Sequence, residues 1–118
     1  MGKMLKGFLL EPEKEPRIIE IEDTLENLQK LVEGRIEVLS IRTDVDKMRS
    51  IDLIFNEECK FLFEDANKFI VYPSGLYDYL SGNIFAIAAD EETGEFVSLS
   101  EEEIEYYQYF LMDDYLFI

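Results

Sequence analysis

The chain has 118 residues, 47% of them apolar, with nine Phe and seven Tyr; this is enough to bury a core and too aromatic for a disordered acidic tail. Its 27 Asp and Glu against 11 Lys and Arg give a net charge of −16, which makes nucleic acid and anionic membranes poor direct partners, since both are held through cations. The absence of histidine excludes Ser-His-Asp and Cys-His catalysis and His-ligated metals, and the single cysteine, Cys59, excludes an internal disulfide.

The elements follow from periodicity and punctuation. Met4–Leu10 predicts a first strand, Glu11–Pro16 a turn bounded by prolines, and Arg17–Glu22 a second strand with Ile19 and Ile21 on one face, together a β-hairpin. Asp23 or Thr24 caps a helix whose Leu25, Leu28, Leu31 and Val32 form one apolar stripe, with Asp23 and Glu26 spaced as a capping box and Gly34 placed to end it in a left-handed conformation. Arg35–Ile41 and Ile51–Phe55 predict strands, separated by a charged loop over Arg42–Ser50. The middle is ambiguous. Cys59–Phe63 is apolar around Lys60, Asn67–Tyr72 suits a short strand or extended piece, and Pro73-Ser-Gly75 marks a turn; Leu76–Leu80 suits a helical turn or an extended segment. After the Gly82-Asn83 turn, Ile84–Ala89 predicts a strand, Asp90–Gly94 a hairpin loop, and Glu95–Leu99 the return strand. Ser100 and Glu103 form a capping box for a last helix with Ile104, Tyr107, Phe110 and Leu111 inward, followed by an apolar tail at 112–118. The expected fold is a single α+β domain over 1–118, with an antiparallel or mixed sheet and two or three helices packed on one face, beginning as a β-hairpin and then a helix.

Several stretches resemble a domain-of-unknown-function family of short acidic proteins carried on bacterial plasmids, conjugative elements and phages. They are Glu11–Pro16, Thr24–Gln29, Gly34–Val38, Asn56–Lys60, Asn67-Lys68, Tyr77-Asp78, Gly82–Phe85, Asp90 and Phe96–Glu101. Cys59 stands where that family usually has a small residue, Lys68 where it usually has Arg, and the tail after Phe110 is longer. The resemblance implies an accessory protein of a mobile element and brings no catalytic residues. An anti-defence or host-takeover role follows by association alone.

Candidate sites are few. Asn56, Lys60, Asn67 and Lys68 would, if they converge with Tyr77 and Tyr79, form a polar pocket with aromatic walls suited to a nucleotide-like ligand. The competing reading is that Asn56 caps a turn and Lys60 balances its acidic neighbours. Cys59 lies beside Glu57 and Glu58, which oppose a reactive thiolate. Asp44-Val-Asp46 opens like a calcium loop, but Arg49 and Phe55 occupy the positions that need Gly and Glu, so no metal site and no cofactor is expected. Tyr106, Tyr109, Phe110, Tyr115 and Phe117 cannot all face one core, and they form a candidate dimer or partner interface; the alternative is a wide core stripe with a tail folded back on the sheet.

These features favour a non-catalytic binding protein of a mobile element, acting on a host protein or sequestering a small molecule, with no direct nucleic acid or membrane contact. Two alternatives stand beside it. One is an acidic DNA mimic that inhibits a nucleic-acid-binding protein. The other is an enzyme of unrecognised type acting on a nucleotide-like ligand, which lacks both histidine and a phosphate-cradling glycine loop. No basic stretch followed by an apolar segment opens the sequence, so a cytoplasmic location is expected.

Overall fold

The computed structural model describes residues 2–44 and 47–118. Strands β1 (Met4–Leu10) and β2 (Arg17–Glu22) form a hairpin, followed by helix α1 (Leu25–Val32). Next come β3 (Ile36–Asp44), β4 (Arg49–Asn56), the one-turn helix α2 (Cys59–Leu62), β5 (Ala66–Val71) and β6 (Tyr77–Ser81). The chain continues through β7 (Ile84–Asp90), β8 (Phe96–Val97), α3 (Glu101–Phe110) and β9 (Tyr115–Phe117).

The strands make two sheets. The larger runs β2-β1-β7-β4-β3, all antiparallel, with the short β8 also on β7. The smaller runs β6-β5-β9, with β9 parallel to β5. Alternation sorts the core into two layers. Leu5, Ile54, Phe85 and Ile87 point to one face of the larger sheet, where Leu28 and Val32 of α1 cover them. Phe8, Leu10, Leu53, Phe55, Ile84 and Ala86 point to the other, where Ile70, Leu80 and Leu116 of the smaller sheet and Tyr107 and Leu111 of the α3 segment meet them.

This architecture overturns the expected α+β fold with helices packed on one sheet face. The protein is mostly β, and its three short helices lie on opposite sides of the larger sheet. The cause is in β4 and β7. Ile51–Asn56 and Ile84–Ala89 are buried at every position, so both faces must be covered; α1 covers one, and the smaller sheet together with the α3 segment covers the other. The ambiguous middle and the apolar tail supply the missing layer.

Local corrections have local causes. Thr24 caps α1, its hydroxyl accepting from the Asn27 amide, so the Asp23–Glu26 box does not form. The left-handed residue that ends α1 is Glu33, at φ 62°, and not Gly34. Gly34 is needed for space, because a Cβ there would sit 2.6 Å from Asn56 Nδ2. Leu25 of the expected stripe is exposed. The expected loop over Arg42–Ser50 is mostly strand, since β3 and β4 pair as far as Asp44 and Arg49. The return strand β8 is only two residues long, because Leu99 turns to donate to the Lys6 carbonyl. The capping box of α3 forms as the spacing predicts, with Ser100 and Glu103 exchanging hydrogen bonds.

Candidate functional site

The six residues expected to converge on a pocket are dispersed. Asn56 is buried, donating to the Val32 and Glu33 carbonyls and accepting from the Glu58 amide. It ties the end of α1 to the end of β4. A β-bulge between Ala66 and Lys68 places Asn67 and Lys68 both inward. Asn67 donates to the carbonyls of Leu10 and Gly82. Lys68 Nζ donates to the carbonyls of Leu111 and Asp113, at 2.7 and 2.8 Å, just beyond α3, where a cation also complements the helix dipole. Burial pushes the Lys68 ammonium below its ordinary value.

The other three lie at the surface. Lys60 of α2 is ion-paired with Asp78 of β6, and its ammonium sits 5.1 Å from the centre of the Tyr79 ring. The hydrogen bond holds Asp78 below, and Lys60 above, their ordinary values. Tyr77 and Tyr79 alternate with Asp78 and Leu80, so the tyrosines face outward.

That alternation builds the most conspicuous surface of the protein. In register across the smaller sheet, Tyr79, Phe69 and Tyr115 form one row, and Tyr77, Val71 and Phe117 the next. Phe69 stacks on Tyr115 with centroids 4.9 Å apart and meets Tyr77 and Tyr79 at 6.4 and 6.3 Å. Tyr77, Tyr115 and Phe117 remain 69%, 51% and 63% exposed. Taking ~150–250 Å² for a buried aromatic side chain, the face offers roughly 400–500 Å² of aromatic surface. That is the size of the largest apolar patch on an ordinary monomer, a patch that is often functional.

The expected interface residues therefore divide. Tyr115 and Phe117 belong to this sheet face. Tyr106 and Phe110 of α3 lie beside Arg42, whose guanidinium is 4.7 Å from the Phe110 ring centre and donates to the Tyr106 hydroxyl. Tyr109 stands apart and exposed. Phe69 and Val71 of the grid, and Phe61 on α2, were missed; the odd-numbered spacing of Phe69-Val71, Tyr77-Tyr79 and Tyr115-Phe117 is the signal that marks them as one face.

Two concavities flank these surfaces. The larger, about 500 Å³, lies between the β3–β4 end and α3; two pairs, Arg49–Glu103 and Lys47–Glu102, line it together with Asp44 and the ring-stacked Arg42. The smaller, about 190 Å³, opens between β3 and β6. Among the described residues no group of three or more His, Cys, Asp or Glu is placed to hold a metal. Val45 and Asp46 of the calcium-like stretch lie outside the described residues. No described helix is long and apolar enough to cross a membrane.

Each of the 11 cations has a partner in the fold. Nine form ion pairs, Arg42 stacks on aromatic rings, and Lys68 holds backbone carbonyls. The carboxylate excess is thus presented to whatever approaches the surface. No curated protein and no solved structure matches the chain. A family model matches residues 5–111, from β1 to the end of α3, and the chain belongs to that family, the Domain of unknown function (DUF3846).

Proposed function

We propose that the chain is a non-catalytic binding protein of a mobile genetic element that docks a basic host protein through the aromatic face of its smaller sheet. The observation that carries the reading is the grid of five outward aromatic side chains around Val71. These rings contact one another across the strands but stay largely in water in the isolated chain, and Tyr is among the residues that dominate binding hot spots. The carboxylate excess favours a cationic partner and steers its encounter. The mobile-element setting rests on the family resemblance.

The test is affinity capture from nuclease-treated bacterial lysate with wild type and with a Tyr77→Ala/Tyr115→Ala variant. The expected result is a basic protein retained by the wild type whose purified form binds the double variant at least roughly ten-fold more weakly, while the variant still unfolds in one cooperative transition, its stability lowered by no more than the roughly 0.2–1 kcal/mol of each cross-strand aromatic pair removed. Equal retention by both forms overturns the assignment to this face.

A further inference from the structure

We propose that the cleft between edge strands β3 and β6 is an anchor pocket for one bulky apolar side chain carried by a lysine- or arginine-rich segment of the partner. This inference deepens the binding reading above and rests on it. The cleft is the open side of the two-sheet sandwich, and it is walled by Leu39, Phe55, Cys59, Phe61, Ile70 and Leu80. Its volume, about 190 Å³, is below the ~300–1,000 Å³ of sites that enclose a small-molecule ligand, and it suits a single side chain. Phe61 forms a lip with 88% of its surface in water, so a side chain seated in the cleft would bury that ring as well.

Charge selects what enters. Of the three carboxylates in the lining, Asp78 is ion-paired with Lys60 and Glu57 with Arg35, which leaves the exposed Glu37 on β3 as the carboxylate without a paired cation at the cleft. An acidic segment is repelled there, and cationic residues flanking the anchor meet complementary charge. The cleft is also continuous with the aromatic face. Lys60 wraps the β6 edge, bonded to Asp78 on the cleft side while lying over the Tyr79 ring on the face. The face alone is smaller than the ~800 Å² per partner of a standard interface, and the cleft adds the concave, desolvating element in which hot spots concentrate.

The chain has no Trp, so a Trp-bearing peptide supplies the only tryptophan emission. The probe is the capped pentapeptide Lys-Arg-Trp-Arg-Lys. The expected result is a saturable blue shift of its emission, competed by the Leu-centred peptide and not by the Ala-centred one, and absent for Glu-Glu-Trp-Glu-Glu. Phe61→Ala and Glu37→Lys, both at exposed positions, should each weaken binding at least roughly ten-fold. The proposal is overturned if no saturable shift develops by about 1 mM peptide. It is equally overturned if the Ala-centred peptide competes as well as the Leu-centred one, or if neither variant weakens binding. Loss of the shift in Tyr77→Ala/Tyr115→Ala but not in Phe61→Ala would remove the anchor pocket and leave the aromatic-face reading standing.

Discussion

At the scale of single residues, the polar side chains that look ligand-like in the sequence mostly serve the backbone. Asn56, Asn67 and Lys68 each satisfy two carbonyls left over at the ends of helices, strands or turns, and burying such carbonyls unpaired is costly. A sequence shows the residue type but not which carbonyl lies within reach, so the same Asn reads equally as a cap or as a ligand. The Arg49–Glu103 pair joins β4 to α3 through bonds of 2.7 and 3.1 Å, with only 25% and 14% of the two side chains exposed. Desolvation raises the Glu103 carboxyl, but the hydrogen bonds from Arg49 and Ser100 outweigh it and leave the group below its ordinary value of 4.5. A depressed folded value means the contribution is full above the ordinary value and is lost as pH falls through the folded one. Glu103→Gln should therefore cost about 1–3 kcal/mol at pH 7 in urea unfolding. The gap to wild type should stay constant above the ordinary value of 4.5 and shrink as pH falls below it, through the depressed folded value, while the remaining carboxylates titrate alike in both proteins.

At the scale of elements, strand alternation separates stability from binding within β9. Leu116 is fully buried between the sheets, while Tyr115 and Phe117 on either side face water. Leu116→Ala should destabilise by about 2–4 kcal/mol through lost burial and a cavity. Phe117→Ala should change stability by less than about 0.5 kcal/mol while weakening partner binding. Equal unfolding curves for the two variants would show that β9 does not dock as a strand. The hairpin, α1, the hairpin loop at Asp90–Gly94 and the α3 capping box were all legible, because each is specified by neighbours within a few residues. The smaller sheet was not. Its strands have six, five and three residues, and while β5 and β6 pair locally, its third strand joins by pairing Phe69 with Tyr115, about 45 positions away.

At the scale of the whole molecule, charge and topology act together. Eight surface ion pairs, each worth about 0–1 kcal/mol, and the mostly buried Arg49–Glu103 pair stand against the self-repulsion of a net charge of −16. Raising ionic strength from about 10 to 150 mM shortens the screening length from ~30 to ~8 Å, which relieves repulsion more than it weakens contact pairs. The expected gain is about 1 kcal/mol, seen as a melting temperature roughly 3–6 °C higher by calorimetry. A lower melting temperature at the higher salt would mean that the ion pairs outweigh the repulsion. The covered β4 and β7 explain the two-layer design at this scale, since apolar residues at consecutive strand positions demand cover on both faces.

By itself the sequence determined the chemistry excluded by the missing histidine, the net charge, and the elements whose caps and turns are local. The tertiary structure alone decided that the middle of the chain and its tail make a second sheet, that three of the six ligand-like residues are buried scaffold, and that Lys60, Tyr77, Tyr79, Tyr115 and Phe117 share one surface with Phe69. The physical reason is range. Caps and turns are closed by hydrogen bonds a few residues apart, whereas a parallel strand pair and a surface grid depend on which distant apolar faces meet to exclude water.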